Sequence, residues 1–133
     1  MREGWLGDEY KILFSEEEAP DISARYGIES MLPGYKITGL LGWDDFLVED
    51  QRGDFFRVPT LPCVTAQLTP FHLPSVVDEL ITDDRFTGKI KWYIKPMIFG
   101  GDIGMGDNLA WITHDQHREP VLLWNSRFHE LSK

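Results

Sequence analysis

The chain of 133 residues carries one cysteine, Cys63. An internal disulfide and a multi-cysteine zinc cluster are therefore excluded, and a lone thiol between Pro62 and Pro70 with no base beside it reads as a small core residue. Long apolar runs are missing as well. Arg2, Glu3, Asp8 and Glu9 interrupt the stretch where a secretory signal needs continuous apolar residues, so the expectation is a soluble, cytoplasmic chain with no membrane contact. Positive charge is scarce: 13 Lys and Arg face 22 Asp and Glu, a formal net charge of -9 that opposes binding to nucleic acid. Linkers, repeats and low-complexity segments are absent, which with this length predicts one domain over residues 1–133.

What is present suits a packed fold, with 42% hydrophobic residues. Ser15 followed by Glu18 has the spacing of a capping box and predicts a short helix over 16–26, with Pro20 early in it, Gly27 as its stop, and Ile22 and Tyr26 on one face. Leu32-Pro33-Gly34 is a turn, and the alternation over 35–40 predicts a strand. Phe46-Leu47-Val48-Glu49 and Phe55-Phe56-Arg57-Val58 flank Asp50-Gln51-Arg52-Gly53, the pattern of a β-hairpin ended by Pro59 and Pro62. A serine cap starts a short helix over 75–80. Residues 89–95 read as a strand with Ile90, Trp92 and Ile94 inward and the lysines outward. Residues 99–107 form a glycine-rich loop, residues 108–112 a last strand. His117, Val121, Trp124, Phe128 and Leu131 make the stripe of an amphipathic terminal helix that holds Pro120 in its first turn. The fold class is α+β: a twisted, largely antiparallel sheet of four to six strands with a short N-terminal helix and a C-terminal amphipathic one. Trp43, Trp92, Trp111, Trp124 and Phe128 are expected in its core.

Chemistry is harder to find. His114 and His117, three apart with Asp115 between, can present two metal ligands on a helix face, and a carboxylate from the 102–107 loop, Asp102 or Asp107, would complete a small metal-dependent hydrolase. The H-E-x-x-H pattern is missing, however. The plainer assignment makes His114 a helix cap and His117 a core-edge residue. The Gly100–Gly106 run lacks the nucleotide-loop pattern and reads as a turn. No G-x-S-x-G elbow or cysteine–histidine signature exists. Asp44-Asp45 and Asp83-Asp84 are adjacent pairs whose side chains diverge on an extended chain, so neither pair shares a proton. Arg52-Gly53-Asp54 is turn chemistry.

Acidity is uneven: residues 1–54 carry net -8 and residues 55–133 net -1. Asp44, Asp45, Glu49, Asp50 and Asp54 fall on or beside one hairpin, next to Trp43 and Phe46. Such a face attracts a basic partner, and Trp43 anchors it if exposed, although burial is the commoner fate of tryptophan. A charge run of this kind also serves as a merely solvated face.

The series Leu32-Pro33-Gly34-Tyr35, Gly42-Trp43-Asp44-Asp45-Phe46, Val58-Pro59 and Phe99-Gly100-Gly101-Asp102 resembles bacterial proteins of the SMI1/KNR4, or SUKH, type. That resemblance implies an α+β fold and an immunity protein, non-enzymatic and without cofactor, that neutralises a cognate toxin, often a nuclease, by occluding it. The acidic hairpin would then cover a basic toxin surface. A structural or oligomeric component of a phage or secretion system is the remaining alternative.

Overall fold

The computed structural model describes residues 2–6, 9–72, 80–93 and 109–131. Six strands form one antiparallel sheet in chain order: β1 Arg2–Leu6, β2 Glu9–Leu13, β3 Lys36–Leu41, β4 Asp45–Glu49, β5 Phe55–Pro59 and β6 Thr69–Pro70. Helices α1 Ala19–Tyr26 and α2 Ile28–Met31 are inserted between β2 and β3. A second, two-stranded ribbon pairs β7 Ile90–Tyr93 with β8 Leu109–Ile112 and leads into α3 His114–Leu131. This is the expected α+β architecture, with the ribbon separate from the main sheet.

Local chemistry explains the parts that were anticipated. The Ser15 backbone N–H donates to Glu18 Oε1 at 2.9 Å and the Glu18 N–H to Ser15 Oγ at 3.2 Å, a closed capping box in front of α1. Gly27, left-handed at φ 64°, ends the helix. At the β4–β5 turn Asp50 Oδ1 accepts from the N–H groups of Arg52 and Asp54, both at 2.9 Å, while Gly53 sits at φ 88°.

The β1–β2 hairpin was not anticipated. Its register pairs Leu6 with Glu9, so two residues, Gly7-Asp8, separate the strands, and that dipeptide is itself a hairpin signal. The edge of β1 is met by Ile81, whose N–H and C=O exchange hydrogen bonds with Trp5 at 2.9 and 2.8 Å. A Cβ on Gly4 would stand 2.6 Å from the Ile81 carbonyl oxygen, so only glycine fits. At the opposite edge β6 is two residues long and ends in Pro70.

One core joins the sheet to the ribbon and to α3: Ile12, Leu40, Phe46, Val48 and Val58 pack with Tyr26, Ile90 and Val121, all at most 2% exposed. Its polar fastening is Asn125, buried on α3. The Cys63 N–H donates to Asn125 Oδ1, and Asn125 Nδ2 donates to the carbonyls of Thr60 and Val121, each at 2.8 Å. Every hydrogen-bonding direction of this amide that matters for burial is used.

Three expectations are corrected. Trp111 is 40% exposed: Ile112 and Ile90 turn inward as register partners, so the alternation of the ribbon puts Trp111 on its other face opposite Lys91, at the edge of the core against Phe86 and Trp43. Pro120 is the seventh residue of α3, inside the helix, and Leu131 at its end is 64% exposed. Thr113, not His114, caps α3: its N–H donates to Gln116 Oε1 at 2.9 Å and its Oγ1 accepts from the Gln116 N–H at 3.2 Å. The expected helix at 75–80 and the 99–107 loop lie outside the described residues, apart from Leu80.

Candidate docking face

In β4, Phe46 and Val48 turn into the core, so Asp45, Leu47 and Glu49 turn to the other face of the sheet. Register extends that face across four strands: Leu13 lies beside Gly39, Gly39 beside Leu47, and Leu47 beside Arg57. Glu49 faces Phe55 on one side and Lys36 on the other.

The upper half of this face is filled by charge. Arg57 Nε donates to Asp45 Oδ2 at 2.6 Å and Arg57 Nη2 to Glu9 Oε2 at 2.5 Å, while Lys11 Nζ donates to Glu9 Oε1 at 2.7 Å. Two acids and two bases cancel. Burial pushes Glu9 up, but Arg57 and Lys11 outweigh it and hold the carboxyl below its ordinary value; Arg57 in turn is held charged. The Lys11 ammonium, 5% exposed for its residue, also lies 5.9 Å from the Phe71 ring centroid.

The lower half is open. Gly39 lets β2 and β3 lie close, since a Cβ there would stand 2.6 Å from the Ile12 carbonyl oxygen. Beside this pairing is a concavity of about 370 Å³ with Leu13, Leu47 and Phe55 in its walls and Glu16, Lys36 and Glu49 among the residues at its border. A second hollow, about 630 Å³ and more polar, lies at the hairpin turn between Glu29, Tyr35, Asp50 and Arg52. Lys36 and Glu49 border both, joined by an ion pair at 3.4 Å.

The five carboxylates singled out from sequence therefore divide. Asp45 belongs to the charge quartet, Glu49 to the pair with Lys36, and Asp50 to its own turn. Asp44 and Asp54 are exposed, but they sit before the starts of β4 and β5, at opposite ends of the hairpin, roughly 20 Å apart at ~3.4 Å per residue. They do not form one patch. Around Asp44, lost solvent raises the carboxyl above its usual range, Lys91 opposes that, and Asp45 adds to it.

Trp43 is 8% exposed and held at φ 65°. Its ring stacks on Tyr10 at 4.9 Å and meets Trp5, Phe86 and Trp111 edge-on at 5.9, 5.4 and 5.3 Å. It is a core residue of an aromatic cluster and presents no ring to a partner.

His117 is fully buried, with Nδ1 2.7 Å from the Tyr26 hydroxyl and its ring edge-on to Trp92 at 4.9 Å. That geometry ties α3 to α1 and β7. The side chain of His114 and residues 101–107 lie outside the described residues, among which no group of three or more His, Cys, Asp or Glu is placed to hold a metal. Burial pushes the Cys63 thiol up to about 12, which keeps it protonated and unreactive. Among the described residues no helix is long and apolar enough to cross a membrane.

Two residues essential to this face escaped the sequence reading: Arg57, read only as a strand residue, and Gly39, whose signal was a glycine inside a strand pattern. Compared with family models, with curated proteins and with solved structures, the chain finds no match.

Proposed function

We propose that this chain is a non-enzymatic binder of a basic protein, acting in the cytoplasm as an immunity protein that neutralises a cognate bacterial toxin by covering it, as the SMI1/KNR4 resemblance implies. The observation that carries the reading is where the surplus charge lies. Of the carboxylates that make no ion pair among the described residues, Glu16, Glu17, Glu29, Asp50 and Asp54 border or adjoin the two hollows beside Glu49, while Glu3, Asp44, Asp84 and Glu119 lie apart from them. Unneutralised carboxylates around a dip with apolar walls attract a cationic surface over a distance and offer it something to pack against on arrival.

Co-expression tests the reading. The product of the reading frame adjacent to this one should arrest growth when expressed alone, lose that effect when this chain is co-expressed, and co-elute with it in gel filtration. Arrest that persists with both proteins present and soluble removes the assignment.

A further inference from the structure

We infer that the concavity walled by Leu13, Leu47 and Phe55 is the seat of an arginine side chain presented by a loop of the basic partner; this rests on the reading of the chain as a binder of basic protein. Size is the first argument. About 370 Å³ is near the lower limit of small-molecule pockets, roughly 300–1,000 Å³, and suits a long side chain better than a length of backbone. Chemistry is the second. The walls are apolar and one is an aromatic ring, while the border carries Glu16 and Glu49. An arginine side chain has the matching parts: a methylene stem to cover Leu13, a flat guanidinium face to stack on Phe55, and paired N–H donors for a carboxylate.

Charge complementarity is the third argument. Arg2 and Lys36 also border the concavity. Lys36 is 45% exposed and holds Glu49 at 3.4 Å, the kind of surface pair worth about 0–1 kcal/mol, so an incoming guanidinium can take Glu49 over. Beyond the border, Glu17 and Asp54 adjoin Glu16 and Phe55 with no ion pair among the described residues. The aromatic end of the sheet offers no comparable seat, because Trp43 is packed beneath its neighbours.

The test titrates the full ¹⁵N-labelled chain with a capped hexapeptide bearing three arginines, beside the same peptide with norleucine in their place. Shifts should be saturable and concentrated on the amides of Leu13, Lys36, Leu47 and Phe55. Glu16→Gln and Glu49→Gln should each weaken binding about threefold to fivefold, and Asp44→Asn should leave it unchanged. Glu16→Lys is expected to abolish the shifts; because Glu16 lies in the turn before α1, thermal unfolding of this variant is measured alongside, and the exposed side chain should cost it under about 1 kcal/mol. Four results would each overturn the inference: no saturable shift, shifts centred on Trp43–Asp45, equal binding of the norleucine peptide, or concentration-dependent broadening of the same amides without peptide, which would mark a second copy as the occupant. If the arginine peptide binds in the concavity while co-expression fails to relieve arrest, the toxin reading falls and the seat stands.

Discussion

The two faces of the six-stranded sheet use polar groups in opposite ways. On the inner face they are few: the Asn125 amide binds the Cys63 N–H and the Thr60 carbonyl, and the Tyr26 hydroxyl meets His117, each a specific partner far away in sequence. On the outer face they are charged, Lys11 buried and Glu9, Asp45 and Arg57 partly exposed, and this quartet cancels to zero. The lesson is that acidity here is not a single property. Part of it near the hairpin, Asp45 and Glu49, is absorbed within the fold, and the part that reaches solvent is divided between Asp44 at one end of the hairpin and a larger group at the hairpin turn and the start of α1.

The contrast predicts a ranking of damage. The largest effect belongs to the inner face: Asn125→Ala leaves the Cys63 N–H and the Thr60 carbonyl without partners, and should lower unfolding free energy by about 3 kcal/mol in urea denaturation. Arg57→Met on the outer face comes next. It leaves Glu9 and Asp45 facing one another, but these side chains are 31%, 25% and 24% exposed, so solvent screening keeps the loss to about 1–2 kcal/mol. A smaller effect follows from pH. Glu9 has a folded value below its unfolded one, so its contribution is complete above about pH 4.5 and disappears as pH falls through the folded value. Thermal unfolding followed from pH 6 to pH 3 should show this loss, and Arg57→Met should flatten it. If wild type and variant lose stability in parallel, the quartet is not the source. Least of all, Asp44→Asn should change unfolding free energy by under about 0.5 kcal/mol, because the exposed side chain holds nothing in place.

Sequence was most informative where the determinants are local. The capping box at Ser15 and Glu18, the Gly27 stop and the Asp50 turn each depend on residues within five positions of one another, and all three form, although the box closes a turn ahead of α1, which starts at Ala19 instead of at 16. It was least informative where partners are distant. Arg57 meets Glu9 across 48 positions and Asn125 meets Cys63 across 62, and no spacing rule connects them. The acidic run at 44–54 was therefore visible as composition, while its division into absorbed and outward charge was not. Trp111 illustrates an intermediate case. Counting tryptophans as core overlooked the two-residue period that, once Ile112 is inward, turns its neighbour out.

The capped edges of the main sheet bear on how a partner can be recognised. Ile81 occupies the main-chain groups of Trp5 on β1, and at the far side Pro70 offers no N–H. Strand addition, which reads a backbone and is largely indifferent to residue identity, is thus denied at these positions. A partner that engages the outer face of this sheet is read there through side chains, so a handful of substitutions in its loop is enough to escape, and a handful here is enough to follow.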